Sequence, residues 1–154
     1  MKSPAELTDM FRTRGLKVTP QRERIFRVLH GNGQHPSAEW VHAAAVRDMP
    51  TISLKTVYQT LNELARLGEI ETMDLGTGSA RFDPNTEPHH HLVCRSCGKV
   101  RDVYLDFDTR LPTDLHGFTV DSTEIVLRGL CDDCTRATES TVPSHDTGDT
   151  ECPN

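Results

Sequence analysis

Residues 53–83, SLKTVYQTLNELARLGEIETMDLGTGSARFD, hold the pattern that decides the fold. Ser53 suits an N-cap, and Leu54, Val57, Leu61 and Leu64 recur at three- and four-residue intervals. The spacing predicts a helix with one apolar face, stopped by Gly68. Its other face shows Lys55, Thr56, Gln59, Asn62 and Arg66. EIETMDL and ARFD then read as short strands around Gly76-Thr77-Gly78-Ser79, a turn-rich tetrad.

Three shorter helices are expected upstream. Ser3-Pro4-Ala5-Glu6 has the form of a capping box with Pro at the first helical position, followed by Leu7, Met10 and Phe11, with Gly15 as the stop. Thr19-Pro20 opens a second helix with an apolar stripe of Ile25, Phe26 and Leu29, ended by Gly31-Asn32-Gly33. Ser37 caps a third, carrying Trp40, Val41 and Ala44 and ending before Pro50. Helices followed by a β-hairpin are the parts of a winged helix. The polar face of the fourth helix matches what major-groove reading requires, which nominates Lys55, Thr56, Tyr58 and Gln59 as DNA contacts. Arg12, Arg14, Lys17, Arg22, Arg24 and Arg27 can hold phosphates.

Charge is placed unevenly over the 154 residues. The whole chain carries −6, which by itself speaks against a nucleic-acid partner. Residues 1–83 carry +1 and residues 84–154 carry −7, and the first thirty alone carry +4. All five Cys and five of the eight His follow residue 83. The composition changes at PNTEP (84–88), so two small domains joined by a hinge are expected. No apolar run approaches the ~20 residues of a membrane span, and the N-terminus lacks a secretory h-region. A cytoplasmic protein is expected. Five Cys in that reducing compartment point to metal or redox chemistry rather than disulfides.

Cys94-Arg-Ser-Cys97 and Cys131-Asp-Asp-Cys134 are two C-x-x-C pairs. Each two-residue spacer lets a pair chelate from a tight turn, and four thiolates close a tetrahedral zinc shell. A thioredoxin-like motif wants a strand-to-helix context, whereas Cys97 leads into Gly-Lys-Val. Structural Zn2+ is expected here, and Cys152 is left over in a polar tail. A second cluster is different in kind. His89 and His91 share one side of an extended segment, Asp83 ends the hairpin, Asp102 follows the first Cys pair, and His35 precedes the third helix. Three nitrogens and two carboxylate oxygens suit Fe(II), Mn(II) or Zn(II) rather than Ca or Mg.

With these motifs the chain resembles the ferric uptake regulator superfamily of metal-dependent repressors. The resemblance rests on Thr19-Pro20-Gln21-Arg22, His35-Pro36-Ser37-Ala38, Thr56-Val57-Tyr58-x-Thr60-Leu61, HHHLVCRSCGKV at 89–100 and GLCDDC at 129–134, spanning roughly residues 5–135 in order. It implies an α+β chain: an N-terminal winged-helix DNA-binding domain (1–83), a hinge carrying metal ligands (84–91) and a C-terminal α/β dimerisation domain (92–136). A disordered tail (137–154) follows. It also implies a four-cysteine structural zinc site at Cys94, Cys97, Cys131 and Cys134, and a regulatory Fe2+ or Mn2+ at His35, Asp83, His89, His91 and Asp102. The DNA-contact set becomes Arg14, Lys17, Gln21, Arg22, Lys55, Thr56, Tyr58 and Gln59. A further metal site of some relatives falls on Pro88, His90, Thr109 and Thr123 and is expected to be absent or reduced.

Asp at both carboxylate positions is similar to the peroxide-sensing repressor branch, where Fe(II) bound at the site leads H2O2 to oxidise a ligand histidine, here His35 or His89. The function implied is a homodimeric, metal-dependent transcriptional repressor binding a double-stranded DNA operator, not an enzyme. Two alternatives stand beside it: a sensor of Fe(II) or Mn(II) availability, and a metal-dependent hydrolase. The hydrolase reading lacks a nucleophile and an H-E-x-x-H arrangement, and its ligands would be split across a hinge.

Overall fold

The computed structural model describes residues 1–76, 78–106, 115–120 and 123–139. Four helices come first: α1 (Pro4–Thr13), α2 (Pro20–Leu29), α3 (Ala38–Ala45) and α4 (Leu54–Arg66). Every expected cap is in place. Ser3 and Glu6 form the reciprocal capping box, while Thr19, Ser37 and Ser53 accept from the backbone amides of Arg22, Trp40 and Thr56. Gly15 and Gly68 follow α1 and α4 with positive φ, the conformation that ends a helix at little cost only for glycine.

Leu7, Phe11, Ile25, Phe26, Leu29, Val41, Val57, Leu61 and Leu64 form one core, with the Phe11 and Phe26 rings edge to face at 5.0 Å. Two positions depart from the expected stripes. Trp40 is 44% exposed, and the inner face of α3 is Ala38, Val41 and Ala45. Short α3 packs closely on α2 and α4, so small side chains face inward and the large indole is left outside. Leu54, the first residue of α4, is 36% exposed, while Ile52 and Val57 on either side of it enter the core.

The hairpin β1 (Glu71–Met73) and β2 (Arg81–Asp83) is antiparallel and shorter than its sequence signal, and Phe82 plugs it into the helical core. A three-stranded sheet follows in the order β4 (Val100–Val103), β3 (His90–Cys94), β5 (Val126–Gly129). Strand β3 is antiparallel to β4 and parallel to β5. Helix α5 (Asp132–Glu139) closes the described chain. Residues 137–139, assigned to the tail above, are therefore helical. Residues 140–154 with Cys152, and Thr109 of the further metal site, lie outside the described residues.

Glu69, buried at the entry to the hairpin, ties α1 to it. The Lys2 backbone N–H donates to Oε2 at 3.0 Å and the Lys2 ammonium contacts Oε1. Burial pushes the Glu69 carboxyl up, but the Lys2 bonds outweigh it and hold the group below its ordinary 4.5. A depressed carboxyl stabilises the fold above its unfolded pKa, and that stabilisation is lost as pH falls through the lowered value. Glu69→Gln is expected to cost about 1 kcal/mol near neutral pH, a modest figure because Lys2 is half exposed. Thermal melts check it: the gap between wild type and variant should close as the pH falls from neutral through the lowered pKa of Glu69.

Candidate metal centres and nucleic-acid interface

His35, Asp83, His89, His91 and Asp102 come from four pieces of the chain. His35 stands on the loop before α3 with φ 49°, a left-handed conformation uncommon outside glycine but more frequent for His and Asn than for branched residues. The Phe82 N–H donates to the Pro36 carbonyl at 3.0 Å, and this places Asp83, the last residue of β2, beside His35. His91 and Asp102 are register partners across β3 and β4, so their side chains leave the same face of the sheet. His89 lies two residues before His91 and shares its side of the strand.

Their polar atoms converge. His35 Nε2 is 2.7 Å from Asp102 Oδ1 and 3.4 Å from Asp83 Oδ2. His89 Nε2 is 2.9 Å from both Asp83 Oδ2 and His91 Nε2. One ligand atom from each of the five residues falls within 4.8 Å of all the others. His35 and Asp83 are fully buried. Yet His35 Nε2, Asp83 Oδ2 and Asp102 Oδ1 complete no hydrogen bond despite these short separations, because they aim at a common centre rather than along one another's donor directions. Buried nitrogen and carboxylate atoms without partners are costly. A divalent cation at their centre removes that cost, so the residues fit the metal the sequence anticipates.

The charges respond accordingly. Burial pushes the Asp83 carboxyl up, but His35 and the Asn85 amide outweigh it and hold the group below its usual value. For His89, burial favours the neutral ring. The bond to the Glu87 carbonyl and the charges of Asp83 and Asp102 outweigh it and raise the imidazole pKa.

Sequence reasoning missed an outer ring of groups. His89 Nδ1 lies 2.6 Å from the Glu87 carbonyl, so that nitrogen carries the proton and Nε2 keeps its lone pair for the centre. His91 Nδ1 lies 2.9 Å from Glu124 Oε1, which fixes the same tautomer. Asn85 contacts both aspartates: its backbone N–H donates to Asp83 Oδ1 and its Nδ2 to Asp102 Oδ2, each at 2.8 Å. Asn85 was legible only as part of a hinge. No spacing marked Glu124, which reaches His91 across 33 residues through the β3–β5 pairing.

The four cysteines form a second cluster, with one Sγ from each within 4.8 Å of the rest. Cys97 and Cys131 sulfurs are 3.7 Å apart, and the Cys131 N–H donates to Cys94 Sγ. Gly98, at φ 71°, makes the turn that brings its N–H back to the Cys94 carbonyl. Backbone amides of Cys97 and Cys131 bring the Cys94 thiol down to about 6. For Cys134 the Ser96 bond pulls the thiol down, but the three neighbouring sulfurs and burial outweigh it and push it up to about 12. Four crowded sulfurs can all be thiolates only around a cation, which fits zinc.

The proposed DNA contacts are distributed around α4 and the turn between α1 and α2. Lys55 and Gln59 are exposed on α4, and Arg14 and Lys17 are exposed beyond α1. Tyr58 donates its hydroxyl to Glu39 Oε1 at 2.7 Å, and the Thr56 hydroxyl is 2.9 Å from Ser53 Oγ. Gln21 is half-buried. Arg22 stacks 5.2 Å over the Phe11 ring and donates to the Lys17 carbonyl. Arg12, Arg24 and Arg27 are paired with Asp9, Asp48 and Glu23. Among the described residues no helix is long and apolar enough to cross a membrane.

Known proteins agree with this architecture. A peroxide-responsive repressor, PerR, of Staphylococcus saprophyticus is 34% identical over 126 residues, 80% of this chain and 85% of its own. A solved zinc-bound manganese uptake regulator shares 28% identity with TM-score 0.63, over 84% of this chain and 99% of its own. The Vibrio cholerae ferric uptake regulator shares 27% with TM-score 0.62, over 81% and 99%. The sequence profile of the Ferric uptake regulator family matches residues 13–128, and the chain belongs to that family.

Proposed function

We propose that this chain is a dimeric, metal-dependent transcriptional repressor that leaves its DNA operator when hydrogen peroxide destroys the regulatory metal site. The carrying observation is the convergence of five ligand atoms from both sides of the 84–88 segment, with Asp at both carboxylate positions. In this reading residues 1–83 bind DNA, 84–91 are the hinge and 92–136 dimerise. Cys94, Cys97, Cys131 and Cys134 hold Zn2+, and His35, Asp83, His89, His91 and Asp102 hold Fe2+ or Mn2+. An Fe(II) ion held by these residues would supply an electron to the peroxide O–O bond, with a ligand imidazole as the group that is oxidised.

The chain's own residues do the rest. His35 and Asp83 belong to the winged half, while His91 and Asp102 belong to the sheet. Drawing them together sets the angle between the halves. In a two-fold dimer that angle sets the separation of the two α4 helices, which must match the half-site spacing. Oxidation of His35 or His89 removes a neutral nitrogen from the set and releases the angle. Arg14, Lys17, Gln21 and Arg22 would meet phosphates, and Lys55, Thr56, Tyr58 and Gln59 the groove.

Peptide mass spectrometry of the Fe(II)-loaded protein after H2O2 tests the reading. A gain of one oxygen on a peptide holding His35 or His89 is expected, with none in the Mn(II)-loaded protein. Oxidation confined to Cys or Met would instead support the second reading, a sensor of metal availability. That reading is favoured by the similarity to the zinc-bound manganese uptake regulator. Neither reading makes the protein an enzyme.

A further inference from the structure

The hinge does more than connect the halves. Asn85 is hydrogen-bonded through its backbone and through both ends of its side-chain amide, all around the metal-ligand cluster. Its backbone N–H donates to Asp83 Oδ1 at 2.8 Å. Its Nδ2 donates to Asp102 Oδ2 and to the Tyr104 hydroxyl, both at 2.8 Å. Its Oδ1 accepts from the Glu87 N–H at 3.2 Å, and the Glu87 carbonyl in turn meets His89 Nδ1 at 2.6 Å. The acceptor role of Oδ1 fixes which way the amide faces, so Nδ2 is the atom on Asp102. One side chain and its backbone thus reach three of the five ligand residues.

The division of oxygens is the informative part. The two that Asn85 occupies, Asp83 Oδ1 and Asp102 Oδ2, point away from the centre. The two it leaves, Asp83 Oδ2 and Asp102 Oδ1, are the buried atoms without a hydrogen bond. We infer that Asn85 is a positioning residue that turns each aspartate so that only one oxygen faces the regulatory metal. This rests on the five-residue site proposed above. Each carboxylate has the reach to offer both oxygens, and a cation accepts them readily. Asn85 withholds the second oxygen at both positions, keeping the donor count at one atom per residue. On an ion that accepts six donors, five such atoms leave room for a small exogenous ligand. The short Asp side chains make that restraint possible, because a hinge amide two residues beyond Asp83 spans the gap to Asp102.

The test is a comparison of the full-length zinc-containing protein with Asn85→Ala, by Mn2+ titration and by the visible absorption of Co2+ in the regulatory site. Released Asp102 is free to rotate and offer both oxygens. Loss of a hydrogen-bond partner behind a ligand carboxylate is expected to lower Mn2+ affinity about 10- to 100-fold, while the second Asp102 oxygen weakens the Co2+ bands as the donor number rises. Unchanged affinity, or weaker affinity with an unaltered Co2+ spectrum, overturns the proposal. Should Asn85→Ala lose its zinc or its helical signal, Asn85→Asp serves instead. It keeps the backbone donor to Asp83 and the acceptor for Glu87 and lacks the Nδ2 donor to Asp102 and to the Tyr104 hydroxyl. The same two changes are expected, and wild-type behaviour overturns the role. Asp102→Ala separates the two levels: if it binds Mn2+ like wild type, the five-residue site itself is wrong, whatever Asn85 does.

Discussion

His35→Ala is expected to abolish metal-activated operator binding while leaving the zinc content of the cysteine cluster and the dimer unchanged. His35 is fully buried and faces Asp83, His91 and Asp102, yet it belongs to the loop that opens α3. Of the three histidines it alone lies on the helical side of residues 84–88. A metal can shift the angle between the halves only by binding one arrangement better than the other. Without His35, the sheet-side histidines and Asp102 bind equally well in open and closed arrangements, apart from whatever Asp83 adds. The differential affinity that drives closure then collapses, and a coupling of a few kcal/mol, typically about 1–3, is what disappears. In a gel shift with saturating Mn2+ this reads as roughly 5- to 150-fold weaker binding, down to the metal-free level. The backbone must be controlled for, since φ 49° costs Ala about 1–2 kcal/mol. His35→Asn tolerates that conformation and lacks the imidazole, so it should fail equally. Metal-activated binding retained by both variants would remove the coupling role of His35.

Most of the candidate site is legible in the sequence, because its chemistry is carried by residue types that have few other uses together. Two C-x-x-C pairs announce a tetrahedral sulfur site at any separation, since each pair closes locally. His89 and His91 announce a shared side through the two-residue period of an extended chain. The caps of all four helices were readable because a Ser or Thr side chain acts on an amide two or three residues away. What escaped notice depends on long-range register. Glu124 meets His91 only because β5 lies parallel to β3, and nothing local encodes that pairing. Asn85 looked like hinge polarity because its partners lie 17 and 19 residues away. Trp40 was misplaced for a related reason. Periodicity identifies an apolar position, but the close approach of α3 to its neighbours decides that alanine faces inward. The net charge of −6 also misled as a whole-chain figure, because the acidity lies in the second half while Arg14, Lys17 and Lys55 stand exposed in the first.

Loss of zinc is expected to have the larger consequence for the molecule. Among the described residues the first half has fourteen buried apolar side chains in one cluster, whereas the second is Met73, Leu75, Val93 and Val100 with Val126 against them. Two of those four belong to the hairpin and its exit rather than to the sheet. A three-stranded sheet with so few buried side chains is below what independent stability requires. The cysteines supply the missing restraint. Cys94 ends β3, Cys97 forms the turn into β4, and Cys131 and Cys134 flank the start of α5, so one ion ties two strands and the helix together. Structural zinc binding of this type contributes about 10–16 kcal/mol in small peptides near neutral pH, far more than the four apolar groups can. Cys131→Ser should therefore lose the zinc, convert the dimer to monomer and remove metal-activated DNA binding. The melting of α1–α4 should survive, since their core contains no residue beyond Phe82. Size-exclusion chromatography with far-UV circular dichroism separates the outcomes. A variant that stays dimeric with the zinc gone would show that the sheet holds itself together and that the sulfur site serves some other end.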